Sequence, residues 1–324
     1  MEKKGIGKVL SVVSLFAVLL FAMSMGVSAA GLTQQGLQDG KITVAWTAPA
    51  MSSYRTLTGY TVYMGTSYSD RAVAATLGPG ATSYTAVVPG GSRRYISVAY
   101  SYKYRSTSSE YDGTGSIGSL YDAKTAPVKV SGLNQARWWY YILSVDIKWN
   151  PVECADGYNI VIYDNKNKVI KKDTRTRSSQ PTYSYGKVNN NKMYKVQVQA
   201  YTTLNGQTVN GPWSDTVFLF TSPTVTSSKI KNGKLTVKWQ KVGGATAYNI
   251  YVSTKDKPIT AYKKVATVSA KKASATIKKF NKKKFNPKKK YYVYVETVKK
   301  NGKVTSTSGS EYYWKVGNKN RNWF

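Results

Sequence analysis

The chain has 324 residues, of which 48 are Lys or Arg and 15 are Asp or Glu, so its formal net charge is +33. It contains no histidine and one cysteine, which excludes His-based catalytic triads, His-containing zinc sites and internal disulfides. Two or more domains are expected at this length, because single domains usually have on the order of 100–200 residues.

Residues 1–29 have the pattern of a secretory signal peptide. Three lysines precede an uncharged stretch over residues 9–27, and Val27-Ser28-Ala29 supplies small residues for cleavage before Ala30. An uncleaved membrane anchor is the alternative, because the stretch is nearly long enough to span a bilayer. We expect the mature protein to be secreted or associated with a cell surface, without a transmembrane span.

The remaining chain contains one unit in three copies. Each copy has a tryptophan that is followed 9 to 14 residues later by a tyrosine opening an apolar alternation. The pairs are Trp46 with Tyr60, Trp149 with Tyr158, and Trp239 with Tyr248. Successive tryptophans are 103 and 90 residues apart, so each unit has the size of a small β-sandwich.

Residues within each unit alternate with a period of two. Apolar and polar side chains alternate over Leu235–Trp239, Tyr194–Ala200 and Tyr291–Thr297, as expected of strands with one buried face. Turn sequences such as Asn232-Gly233 separate the short strands. No segment after the signal peptide has a convincing helical period, so the sequence predicts an all-β protein.

The order Trp, then Tyr-x-Val/Ile, then Tyr-x-Val-x-Val resembles fibronectin type III domains, and Gly211-Pro212-Trp213-Ser214 is similar to their approach to the last strand. The resemblance covers nearly all of residues 31–317 and implies tandem immunoglobulin-like sandwiches of the type found in exported bacterial proteins. It implies unit 1 at 30–124, unit 2 at 125–222, unit 3 at 223–317 and a basic aromatic tail at 318–324. Unit 1 diverges, because its loop after Trp46 is longer and Arg94 stands where the family has a corner tyrosine.

Positive charge is concentrated in unit 3. Lys and Arg outnumber Asp and Glu by eight to five in residues 30–124, twelve to six in 125–222 and twenty-five to three in 223–324. The resemblance implies that the run Lys278–Lys290 is the E–F connection, and that the A–B and C–C′ connections share its pole. We therefore predict a basic tip that binds an anionic polymer. Its residues are Lys231, Lys255, Lys257, Lys278, Lys279, Lys282, Lys283, Lys284, Lys288, Lys289 and Lys290.

The predominance of lysine favours a loosely held, repeated anion. The chain has 39 Lys and 9 Arg, and Lys is a point charge without the bidentate fork of Arg. The expected partner is an anionic cell-wall polymer or an acidic polysaccharide. Nucleic acid is an alternative if Phe280, Phe285, Tyr291 and Tyr292 stack on bases, although aromatics beside a strand more often form core. A merely solvated lysine face is the other interpretation.

A second candidate is the aromatic stretch at residues 137–141. Counting back by twos from Trp149 puts Trp138 and Tyr140 on the outer face, where they form a candidate aromatic interface. Exposed aromatics stack on sugars or anchor protein interfaces. Packing against unit 3 is favoured here, because the stretch lies near the A–B connection of unit 2.

The sequence shows no catalytic residues, metal site or cofactor motif. It has no phosphate-binding loop and no carboxylates paired for glycosidase chemistry, and Glu110, Asp112 and Asp122 do not have the spacing of a calcium loop. Cys154 is expected to be a buried, inert thiol, with an intermolecular disulfide as the alternative. We expect a non-catalytic binding protein; the alternative is a passive spacer or adhesion component joined by protein–protein contacts.

Overall fold

The computed structural model describes residues 31–139, 143–186, 188–189, 192–309, 312–318 and 320–323. The predicted signal peptide and Tyr140 lie outside these residues. The described chain consists of β-strands, turns and one short 3₁₀ turn, Ile259–Ala261, so the all-β prediction is confirmed. None of its helical segments has the length and apolarity needed to cross a membrane.

Unit 1 contains seven strands in two sheets. They are β1 (Thr33–Gln34), β2 (Lys41–Ala45), β3 (Arg55–Gly65), β4 (Ala72–Leu77), β5 (Ser83–Val87), β6 (Arg93–Arg105) and β7 (Glu110–Lys124). One sheet has the order β1-β2-β5 and the other β4-β3-β6-β7. All described pairs are antiparallel.

Unit 2 repeats this arrangement. Its strands are β8 (Asn134–Trp139), β9 (Ser144–Lys148), β10 (Gly157–Tyr163), β11 (Val169–Thr176), β12 (Thr182–Tyr185), β13 (Met193–Leu204), β14 (Gln207–Asn210) and β15 (Val217–Phe220). One sheet has the order β12-β9-β8, and the other joins β11, β10 and β13, with β14 and β15 both on β13.

Unit 3 has the same two sheets and one additional strand. Its strands are β16 (Val225–Lys231), β17 (Lys234–Trp239), β18 (Ala247–Ser253), β19 (Lys263–Ser269), β20 (Ser274–Ile277), β21 (Tyr292–Asn301), β22 (Val304–Thr307), β23 (Tyr312–Lys315) and β24 (Arg321–Trp323). One sheet has the order β16-β17-β20, and the other β19-β18-β21-β23-β24. In unit 3 the family's strands A, B and E are β16, β17 and β20, and C, C′ and F are β18, β19 and β21, with G formed by β22 and β23. A three-stranded sheet against a sheet of C′, C, F and G is the fibronectin type III-like arrangement in each unit.

The repeated tryptophan and tyrosine form one contact in every unit. The ring centroids are 5.3 Å apart in Trp46–Tyr60, in Trp149–Tyr158 and in Trp239–Tyr248. The hydroxyl of Tyr158 accepts a hydrogen bond from Val152 N at 2.9 Å, and unit 3 repeats this bond. Unit 1, whose loop after Trp46 is longer, lacks this bond: the buried Tyr60 hydroxyl has no hydrogen-bond partner within the described residues.

Units 1 and 2 meet through charged groups. Asp156 of unit 2 accepts hydrogen bonds from Lys124 Nζ at 2.9 Å and from Arg93 Nη2 at 3.0 Å, and Lys124 is 6% exposed. Arg94 Nη1 lies 3.1 Å from Glu153 Oε1. The turn before β6 also contacts unit 2, because its Gly91 carbonyl accepts from Cys154 N at 2.8 Å.

Units 2 and 3 meet through hydroxyl groups and a shared core. Thr297 Oγ1 donates to the Thr221 carbonyl at 3.1 Å, Phe218 N donates to Ser306 Oγ at 3.2 Å, and the Ser222 and Ser308 hydroxyls are 3.2 Å apart. These hydroxyl-bearing residues are buried. One hydrophobic cluster includes buried residues of both units.

Candidate functional site

The first part of the run Lys278–Lys290 is a tight hairpin turn. Phe280 N donates to the Lys283 carbonyl at 2.9 Å, and Lys283 N donates to the Phe280 carbonyl at 3.1 Å. Asn281 and Lys282 between them have φ values of 50° and 66°, and positive φ at both central positions is what a type I′ turn requires. The backbone that carries Lys282 and Lys283 is therefore fixed by hydrogen bonds.

A second turn orders the end of the run. Lys289 N donates to the Asn286 carbonyl at 3.0 Å, and Lys288 N donates to Asn286 Oδ1 at 2.9 Å. Asn at the first position and Pro287 at the second favour such a turn, because the Asn side chain bonds the backbone ahead and Pro presets φ. The turn leads directly into Tyr291, just before β21.

Aromatic side chains anchor both turns to the sandwich. Phe285 is 3% exposed, and its ring lies 5.0 Å from Tyr291 and 6.3 Å from the half-buried Phe280. The Tyr291 hydroxyl accepts a hydrogen bond from Asn286 N at 3.3 Å, as the Tyr194 hydroxyl does from Asn189 N in unit 2. Phe285 and Tyr291 are buried, so neither ring is available to stack on a base.

The A–B turn lies against this connection. Lys231 pairs with Lys234 across Asn232-Gly233, whose φ values of 51° and 71° again fit a type I′ turn. Phe285 N donates to the Gly233 carbonyl at 3.0 Å. A Cβ on Gly233 would lie 3.2 Å from Lys284 Cβ, so Gly also allows the close approach of the two loops.

The C–C′ connection contributes a lysine that the sequence interpretation missed. Lys263, at the start of β19, has its Nζ 3.4 Å from Asn281 Oδ1. Its place depends on the strand register that pairs Lys263 with Val252, which side-chain alternation does not specify. Lys255 and Lys257 are exposed in the same connection, and no described contact links their side chains to the run Lys278–Lys290.

The structure exposes all eleven predicted lysines. Within the described residues none of them forms an ion pair with a carboxylate. Of the acids in unit 3, Glu296 is 9% exposed and accepts hydrogen bonds from Asn249 and Tyr251. The positive charge of the run is thus left uncompensated by neighbouring acids in the described part of the chain.

The predicted aromatic tail is partly an edge strand. Gly317, with φ of 94°, makes a turn in which Asn318 N donates to the Lys315 carbonyl at 3.0 Å. β24 then returns antiparallel along β23, with Trp314 opposite Arg321. The sequence interpretation missed this strand because its pairing depends on the turn.

The aromatic interface candidate is only partly described. Trp138 lies near the end of β8, and its side chain, like Tyr140, lies outside what the structure describes. β8 itself borders unit 3, because Gln135 Nε2 donates to the Ser308 carbonyl at 3.2 Å and to the Phe220 carbonyl at 3.0 Å. The roles assigned to Trp138 and Tyr140 stay predictions.

The acids of unit 1 and Cys154, which are also candidates from the sequence, lie away from the lysine-rich connection. Glu110 and Asp122, whose spacing does not fit a calcium loop, lie twelve positions apart on β7 and pair with different cations. In the described residues no group of acids or Cys is arranged to hold a metal ion. Cys154 is fully buried, and burial raises the pKa of its thiol to about 11, as expected of an inert thiol.

Comparisons with known proteins add little to this description. No family model matches the chain, and no curated protein matches it. Among solved structures, the FN1-FN3 domains of chicken CNTN1 align at 15% identity over 89% of this chain and 95% of that chain, with a TM-score of 0.35. The fold assignment therefore rests on the strand order described above.

Proposed function

We propose that this protein is a non-catalytic, secreted or surface-associated binding protein whose basic tip holds an anionic polymer of a cell envelope or extracellular matrix. The basic tip is here the eleven lysines predicted from the sequence, together with Lys263. The observation that carries the proposal is the contact between the E–F and A–B turns, which brings unpaired lysines from distant parts of the chain together.

The fixed backbone of the tip supports this proposal further. Two hydrogen-bonded turns and the buried Phe285 hold the lysines of the run Lys278–Lys290 in one place, so binding there would order side chains only. Ordering long side chains alone costs less entropy than ordering a loop as well. A dense group of point charges attracts a polyanion by releasing its counterions, which makes affinity fall as salt rises.

A spacer or adhesion component is the second candidate function. The shared hydrophobic cluster and the buried hydroxyl contacts between units 2 and 3 support it, because such a junction holds neighbouring units in a fixed relation. In that case the lysines provide solubility, and a protein partner binds elsewhere. Salt would then have little effect on binding to a surface.

Binding to purified polyglycerol phosphate and to polygalacturonate across a salt series tests the proposal. The variant changes six lysines of the tip to Gln: Lys282, Lys283, Lys284, Lys288, Lys289 and Lys290. The control changes six exposed lysines outside the tip to Gln: Lys166, Lys168, Lys171, Lys172, Lys300 and Lys303. Both variants have the same net charge, so they separate the effect of position from that of total charge.

We expect the intact protein to bind at least one polymer, and to lose on the order of tenfold or more in affinity between about 50 and about 200 mM salt. The tip variant should lose most of this binding and most of its salt dependence, while the control keeps both. Equal losses in the two variants would show that net charge acts without a site. Duplex DNA in a parallel series tests the nucleic-acid alternative.

A further inference from the structure

A second candidate site is a cleft on unit 1, at the opposite end of the sequence from the basic tip. It encloses about 690 Å³ on the outer face of the sheet β4-β3-β6-β7. Its floor consists of small residues, among them Ser97, Ala99, Ser116 and Ser119. Four tyrosines and Arg71 line its sides. The volume is within the range of about 300–1,000 Å³ typical of ligand clefts.

The turn between β3 and β4 forms one side of this cleft and is held by hydrogen bonds. Asp70 accepts hydrogen bonds from the Thr66 hydroxyl and from Ser67 N at 2.7 Å, and these hold the pKa of Asp70 at about 2. A Cβ on Gly65 would lie 2.3 Å from Asp70 Oδ1, so the turn needs glycine there. Asp70 is thus engaged within the turn, and Tyr68 and Arg71 project from a fixed backbone.

The guanidinium of Arg71 packs against two of the tyrosine rings. Its guanidinium carbon lies 3.8 Å from the ring centroid of Tyr68 and 4.9 Å from that of Tyr95. Nη1 donates to Ser97 Oγ at 2.7 Å and Nε to the Tyr68 carbonyl at 2.8 Å. A guanidinium has five N–H donors, so three are left for a ligand in the described structure.

The three tyrosines nearest Arg71 differ in exposure: one ring is buried and supports two exposed rings. Tyr95 is 4% exposed and contacts Tyr68 and Tyr121 edge-to-face, at 5.5 and 4.9 Å between centroids. Tyr68 and Tyr121 are themselves 65% and 74% exposed. The buried Tyr95 Oη has no hydrogen-bond partner among the described residues.

We propose that this cleft binds a pyranose-ring oligosaccharide. Exposed tyrosine rings offer apolar faces to the C–H side of a sugar, and the serine, tyrosine and Arg71 groups offer partners for its hydroxyls. A peptide is less suited, because extended peptides bind through backbone groups at a sheet edge, and this cleft lies on a sheet face whose backbone is paired. The proposal is independent of the basic tip.

Isothermal titration of the full mature chain with cellohexaose, chitohexaose and hexagalacturonate tests this inference. The variants are Tyr121→Ala, which removes the ring, and Tyr121→Phe, which keeps it. The control is Tyr111→Ala, on the same strand β7 but outside the cleft lining, where Tyr111 is 56% exposed. Circular dichroism confirms that each variant is folded.

We expect at least one of the three oligosaccharides to bind at or below about 1 mM, with an affinity that Tyr121→Ala lowers by about tenfold or more. Tyr121→Phe and Tyr111→Ala should change it by less than about threefold. For the two neutral sugars, added salt should have little effect, unlike binding at the basic tip. The proposal is overturned if no sugar binds at this concentration or if Tyr121→Ala binds as well as the intact chain.

Discussion

Arg94 stands where units 2 and 3 have a corner tyrosine, two residues before a buried pair of β-branched residues. In those units the tyrosine hydroxyl accepts a backbone hydrogen bond within its own unit, whereas Arg94 reaches Glu153 of the next unit. The Arg94 side chain is 15% exposed and that of Glu153 is 48% exposed, so dissolved salt can screen this pair. The substitution therefore exchanges a contact within one unit for a contact between two.

Asp156 gives the junction of units 1 and 2 a dependence on acid. Its partial burial opposes the charged form, but hydrogen bonds from Lys124 and from Thr203 N outweigh this and lower the pKa of Asp156. A carboxylate whose pKa is lower in the folded state stabilises it above the unfolded pKa of about 3.9. That contribution is lost as pH falls through the folded pKa.

We expect Asp156→Asn to lower the free energy of unfolding at pH 7 by about 1–3 kcal/mol, because Lys124 stays buried with Asp122 as its remaining partner. The difference from the intact chain should shrink as pH falls below about 4. Urea unfolding at pH 7 and at pH 3 measures both values. The control is Asp215→Asn, which changes a 69% exposed carboxylate. The account is contradicted if Asp156→Asn differs from the intact chain by the same free energy at both pH values.

At the scale of elements, the lysine-rich connection is two turns and not a flexible linker. Lys282 has φ of 66°, a conformation that costs a non-glycine residue on the order of 1 kcal/mol. Lys283 has no positive φ and closes the turn by pairing with Phe280. The turn therefore holds Lys282 in a backbone conformation that glycine would adopt at lower cost.

We therefore expect Lys282→Gly to raise the free energy of unfolding by up to about 1 kcal/mol, and Lys283→Gly to lower it by about 0.5–1 kcal/mol. Both variants lose one positive charge, so their electrostatic effects are matched. Urea unfolding of the two proteins side by side measures the difference. Equal stability of the two variants would mean that the backbone of Lys282 is not strained.

The sequence predicts the strands that repeat in each unit, but it does not predict the contacts between elements that are far apart in the chain. The tryptophan and tyrosine spacing predicts the sandwich because each pair belongs to one local core. The role of Lys263, the return of β24 and the cleft between Tyr68 and Tyr121 depend on strand register and loop closure. Side-chain alternation does not specify these, because a loop can bring a residue to several places.

At the scale of the whole molecule, the two junctions differ in chemistry. The first uses Arg93, Arg94 and Lys124 against acids, and the second uses buried hydroxyls and backbone groups. Salt weakens the first kind of contact and has little effect on the second. As salt rises, the junction of units 1 and 2 should therefore loosen before the junction of units 2 and 3.

We expect amide hydrogen exchange at Cys154, whose N–H bonds the Gly91 carbonyl, to accelerate severalfold when salt rises from about 0.05 to about 1 M. Exchange at Phe218, whose N–H bonds Ser306 Oγ, should stay nearly constant. Mass spectrometry of peptides covering both sites measures the rates. The double variant Arg94→Ala, Glu153→Ala should reproduce the salt effect at low salt; equal acceleration at both junctions would contradict it.

The burial of Cys154 at the first junction has a practical consequence. It is the single cysteine of the chain, and its residue is wholly enclosed where the two units touch. An alkylating reagent can reach the sulfur only when the units separate or unit 2 unfolds locally. The unmodified protein thus has a native reporter, whose labelling half-time follows the opening of the junction without an engineered probe.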